Sequence, residues 1–178
     1  MSNLRLINET TVSSNVASTV SITDVFNSDY DIYKIVSTAH IHSASKDIYM
    51  RYINSSGSII SAGNYDTASL VMRTHSTNSD NLPSSRNNID YGGYFNLTMG
   101  NNGGGAVEYV FNPTNTSSYT FGINQSIGMY GSTGTYGTKT IRALKQTASI
   151  TGIHLYNGES SDNFGGGTVK IYGLRVDS

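Results

Sequence analysis

Four histidines and twelve carboxylates are the residues of this chain best suited to chemistry, and their spacing limits what they can do. His40 and His42 lie two apart, so on a strand both imidazoles share a face, a geometry that can hold Zn²⁺ or Ni²⁺. Serine and alanine surround the pair and no third ligand is near in sequence, so the expectation is exposed histidines and no metal. His75 and His154 are isolated, the latter on one face of an expected strand. Asp29 and Asp31 offer oxygens to Ca²⁺, but no EF-hand-like loop surrounds them. An Asp ahead of a strand more often closes a turn on its own backbone. Glu108, Glu159 and Asp162 could supply the two acids of a glycosidase, yet nothing in the spacing selects a pair among dispersed acids. The glycine runs 103–105 and 165–167 are followed by strand patterns, not by the helix N-terminus that a phosphate loop needs. With no cysteine there is no disulfide, thiol nucleophile or thiolate zinc site. The residues therefore predict no catalytic centre, no metal and no cofactor.

Tyrosine is the enrichment with functional weight, at thirteen residues against no tryptophan. Its ring buries area while its hydroxyl keeps a hydrogen bond, which favours it at interfaces. Tyr33, Tyr49, Tyr109 and Tyr172 fall in strand patterns and should pack within sheets or against a neighbouring subunit. Tyr91, Tyr94, Tyr130 and Tyr136 fall in expected loops, free to dock on a partner or stack on a sugar. Asn-x-Ser/Thr sequons at Asn8, Asn54, Asn96, Asn115 and Asn124 follow from a composition rich in those residues, and no glycosylation is expected.

Only 13% of the 178 residues are charged, about half the usual share of roughly 25%, and the net charge is −1. With five Lys and three Glu, good surface helix formers are scarce. Nineteen glycines and abundant Ser, Thr and Asn point to a β-protein with polar loops, or to one covered by neighbouring subunits. No basic stripe is present, so nucleic acid is not an expected partner. No run approaches the roughly 20 apolar residues of a membrane span, and the apolar start is too short for a signal peptide. A soluble protein made in a cytoplasm, with no membrane partner, is expected.

Alternation of period two recurs over 17–23, 30–38, 46–53, 69–74, 93–99, 106–112, 119–124, 138–144, 149–156 and 167–176. Residues 54–57 read as a hairpin turn, 101–105 as a second one, and 75–88 and 130–137 as polar loops. No segment supports a helix longer than a turn or two; residues 24–28 could equally be a corner. Near the end, Val169 and Ile171 are odd-numbered and Leu174 and Val176 even-numbered, which predicts a bulge or bend at Gly173. Many short strands predict an all-β fold, a two-sheet antiparallel sandwich that is jelly-roll-like. Residues 17–178 make one sandwich domain. Residues 1–16, with Leu4, Leu6 and Ile7, form either an arm for another subunit's sheet edge or an edge strand of the same sandwich.

The segments 1–10, 22–26, 30–36, 47–53, 110–113 and 165–174, in that order, resemble small virion structural proteins of tailed bacteriophages. The resemblance is to those of phages infecting marine cyanobacteria and other marine bacteria. It implies a sandwich displayed on the virion, assembled in the host cytoplasm, as a capsid decoration (cement) protein or a tail or fibre component. A short chain without fibre repeat or coiled coil favours decoration. The expected partners are the major capsid protein or other virion proteins, and further copies of the chain in a homotrimer. Leu4, Leu6, Ile7, Tyr91, Tyr94, Tyr130 and Tyr136 are the expected contact residues. The alternative is a tail fibre module whose loop tyrosines bind a host carbohydrate receptor.

Overall fold

The computed structural model describes residues 4–41, 47–74, 82–96, 103–130, 134–158 and 162–175. Among them there is no helix, and thirteen strands form two antiparallel sheets packed face to face. The strands are β1 (Leu4–Val12), β2 (Thr19–Ile22), β3 (Ile32–Ser37), β4 (His40–Ile41), β5 (Ile48–Asn54) and β6 (Tyr65–Arg73). Then follow β7 (Leu82–Ile89), β8 (Tyr94–Asn96), β9 (Gly104–Phe111), β10 (Thr120–Tyr130), β11 (Gly134–Leu144), β12 (Ile150–Asn157) and β13 (Phe164–Leu174). The small sheet runs β2-β12-β5-β8. The large sheet runs β1-β13-β3-β9-β10-β11-β6-β7, with β4 also paired to β13.

The core lies where one end of the large sheet meets the small one. Tyr33, Ile35, Val169 and Ile171 from β3 and β13 face Ile48, Met50, Ile153 and Leu155 from β5 and β12, all fully buried. These are the inward positions of alternating strands, and burying such side chains is worth about 1.5–3 kcal/mol each. Tyrosine serves here as a core residue. The Tyr33 hydroxyl donates to the Asn27 carbonyl at 2.8 Å, and the Tyr65 hydroxyl donates to the Ile60 carbonyl and accepts from the Tyr52 amide.

Several expectations need correction. The alternation of β13 does not break at Gly173: its pairing with β3 continues from Ile171 to Leu174 without a slip. Gly173 is small because the Tyr30 ring fills its place, so an added Cβ would stand 2.6 Å from that ring. Leu174 turns outward instead, opposite Ile32 and Leu4. The phase shift lies in β1, where Ile7 is the extra residue between Leu6 and Asn8 and packs against the core. Residues 75–88 were expected to be loop, yet β7 occupies their second part and continues to Ile89. Likewise β10 and β11 run through most of the expected loop 130–137. The run 101–105 does not close a hairpin, because β8 belongs to the small sheet and β9 to the large one. The turn at 54–57 is present, with Gly57 at φ +78° and Ile53 bridged to Ile59.

Candidate functional site

The residues singled out for chemistry do not converge. Among the described residues no three His, Asp or Glu side chains group to hold a metal. His42, His75 and Glu159 lie outside the described residues, as does the side chain of His40. Asp29 takes part in an Asx turn, its amide donating to Asn27 Oδ1 at 2.9 Å. Glu108 is fully buried and its carboxylate lies 3.1 Å from the guanidinium of Arg142, itself without exposed surface. Burial pushes the Glu108 carboxyl above its ordinary range, against the pull of Arg142 and a hydrogen bond from Asn124. A side chain at Gly122 would collide with the carboxylate, so that glycine keeps room for the pair.

That ion pair belongs to a polar layer that inverts the usual sandwich pattern. In β10 and β11 the inward residues include Thr120, Asn124, Ser126, Thr138, Thr140 and Arg142, all buried, beside Tyr136 and Leu144 of β11. Two pairs bond across strands, Ser126 to Thr138 at 2.6 Å and Ser69 to Thr140 at 2.8 Å. Thr120 Oγ1, Asn124 Oδ1 and the Arg142 Nε and Nη1 atoms are buried without a hydrogen-bond partner among the described residues. Asn124 and Arg142 also donate to the backbone carbonyls of Phe95 and Tyr94, which ties β8 down over the layer. Strict alternation then forces the apolar residues of the same strands outward. Phe121, Ile123, Ile127 and Ile141 are 40–58% exposed, and Leu70, Met72 and Tyr109 on β6 and β9 join them.

Register arranges this outer face in rows. Tyr109, Ile123, Ile141 and Ala68 stand side by side across four strands, and Phe111, Phe121 and Ala143 form the next row. In a further row Ile127 is flanked by Gly105 on one strand and Gly137 on the other. It is therefore a knob with a hole on each side. The hollow beside it, lined by Val36, Val107, Ile127, Gly137 and Met72 among others, has a volume of about 580 Å³. Seven large apolar side chains of this one face are thus each more than a third exposed. Patches of this size are uncommon on monomeric soluble proteins.

The outer face of the small sheet differs in chemistry. The Tyr49 ring touches Tyr91 at 4.7 Å, Tyr94 at 5.6 Å and Tyr156 at 5.7 Å between centroids. The Arg51 guanidinium lies 4.4 Å over the Tyr156 ring and pairs with Asp90 at 2.7 Å. His154, cross-strand from Arg51, stacks on Tyr156, and its Nδ1 lies 2.9 Å from the Ser21 hydroxyl. Burial first, then the nearby Asp47, pushes the Tyr49 phenol well above its ordinary value and keeps it a donor.

Of the expected contact residues, Leu6 is exposed on β1 and Leu4 is half-buried opposite Leu174. The first segment, 4–12, pairs with β13 of its own chain, the edge-strand alternative. Tyr91 and Tyr94 come together around Tyr49, with Tyr94 on strand β8 and not in a loop. Tyr136 is not free either: it sits on β11, is 4% exposed, and carries Arg73 at 4.8 Å over its ring. Tyr130 ends β10, and its side chain lies outside the described residues. Sequence reasoning missed Ile123, Ile127 and Ile141, although their alternation with Asn124, Ser126 and Thr140 was the available signal. No protein-family model matches this sequence, and no curated protein matches it either.

Proposed function

We propose that this chain is a non-enzymatic assembly protein that works by associating with copies of itself and with a larger particle. A virion decoration protein is the specific role, in keeping with the resemblance its sequence carries. The observation that supports it is the apolar outer face of β9-β10-β11-β6, backed by a largely polar inner layer. A sheet with its apolar side outward gains by being covered. The occupant is a second copy, because the face is self-complementary: the Ile127 knob of one molecule fits the Gly105 or Gly137 hollow of another. Knob and hollow on one patch favour a two-fold pair. The trimer expected for a viral surface would instead need this face to meet a different surface of its neighbour. Few charges face the patch, Lys34 and Lys139 among them, so repulsion between crowded copies is small.

Strand order supports the jelly-roll reading of the sandwich. The runs β1-β13-β3-β9 and β2-β12-β5-β8 have the order of two interleaved four-stranded sheets joined by Greek keys. On that reading β6-β7 and β10-β11 are inserted hairpins, and they carry most of the apolar face. Co-sedimentation of the purified protein with empty expanded heads of the phage whose genome carries this chain tests the role. Retention on the heads is expected, and its absence at micromolar concentration would discard the decoration reading.

A further inference from the structure

The geometry points to a binding site for a neutral saccharide on the outer face of the small sheet, centred on Tyr49, Tyr91, Tyr94 and Tyr156. Four half-exposed tyrosines meet here on a surface that no third layer of described residues covers. Their positions are fixed in advance. Arg51 donates to both the carbonyl and the carboxylate of Asp90, and the Gly92 amide donates to the Met50 carbonyl at 2.8 Å. Those bonds pin the bend that carries Tyr91, so little ordering remains to be done on binding.

The chemistry narrows the ligand. Tyr49 contacts each of the other three rings at 4.7–5.7 Å between centroids, so its own ring fills the centre of the cluster where a cage would hold a quaternary ammonium. Arg51 is matched by Asp90 and Asp47 lies beside Tyr49, so the positive charge around Tyr49 is balanced. Arg86 and Arg73 act on Tyr94 at the edge of the patch, and an anionic control separates a saccharide from a polyanion. Among the described residues the cluster is mostly aromatic, with Tyr94 packing inward on Val71 and Tyr136, which sets it apart from the aliphatic association face. A pyranose suits what remains: its C–H face stacks on a phenol ring, and its hydroxyls meet Asp90, Arg51 and the tyrosine hydroxyls. This site does not depend on the assembly role, because it lies on the other sheet.

Saturation-transfer NMR with a panel of neutral gluco-, galacto- and manno-oligosaccharides at millimolar concentration tests it, with a single-stranded oligonucleotide as the anionic control. At least one oligosaccharide should receive saturation, and Tyr91→Ala should weaken it tenfold or more with melting temperature unchanged. Arg51→Lys, which keeps the charge but loses the bidentate grip on Asp90, should weaken it several-fold. Ile127→Glu should bind like the native protein, whatever its oligomeric state. No saccharide binding anywhere in the panel, binding that survives Tyr91→Ala, or preference for the oligonucleotide would each overturn the assignment.

Discussion

The two outer faces of this sandwich are built from the same alternating strands, yet one is aliphatic and the other is tyrosine, arginine and acid. On the small sheet the inward positions carry Ile, Met and Leu and the outward ones carry polar aromatics, the ordinary arrangement. On β10, β11 and β6 the order is largely reversed, with Ser, Thr, Asn and Arg inward beside Tyr65, Val71, Tyr136 and Leu144, and Ile, Phe, Leu and Met outward. Part of that inner layer bonds across strands and to the β8 backbone. Thr120 Oγ1, Asn124 Oδ1 and two Arg142 nitrogens stay buried without a hydrogen-bond partner among the described residues, so the reversal carries a polar cost. The difference teaches that a strand's binary pattern says which residues share a face, and not which face meets the core.

The largest test of this contrast concerns the inverted layer. Arg142→Leu leaves the Glu108 carboxylate buried without its counter-charge and should cost about 3–5 kcal/mol in urea unfolding. A loss under about 1 kcal/mol would mean that the layer is not held by that pair. Next comes the association face. Gly137→Ala half-fills one hollow while its Cβ meets only ordinary contacts, 3.4 Å from Met72 and Ser126. It should weaken self-association by about 1 kcal/mol, read by sedimentation equilibrium, and leave monomer unfolding within about 0.5 kcal/mol of native. Smaller still is Arg51→Ala on the tyrosine face. Its pair with the exposed Asp90 is worth about 0.5–1 kcal/mol in thermal unfolding, and association should not change.

The smallest effect is a pH dependence confined to the same face. Burial, then the charge of Arg51, holds the His154 imidazole below its ordinary value of 6.5. Below that value the unfolded chain binds the proton more readily than the folded one. The contribution is therefore complete above pH 6.5 and is lost as pH falls toward the folded-state value. Unfolding of His154→Gln should lack this component, and an identical pH profile would contradict it.

The all-β sandwich was legible because alternation and turn residues repeat along the chain, and ten of the strands fall where the pattern puts them. The long hairpin of β10 and β11 was not, since the expected strand ended at 124 before Ser126 and Gly128, and Thr135 and Gly137 fell in the expected loop 130–137. Their small side chains instead suit a buried polar layer and the hollows beside Ile127. Gly173 misled for a related reason: its size answers Tyr30, a contact distant in pattern though near in space. The tyrosine cluster was half visible. Tyr91 and Tyr94 stood out, but register alone brings Tyr49 and Tyr156 to them across β5, β8 and β12.

The most direct test of the central claim, that the inserted strands present an association surface, is the mass in solution of the native chain and of Ile127→Glu across micromolar to millimolar concentrations. Native protein should exceed the 19.1 kDa monomer, and Ile127→Glu should return to it with an unchanged circular dichroism spectrum. A native chain that stays monomeric throughout, or an oligomer indifferent to a charge at residue 127, would contradict the account.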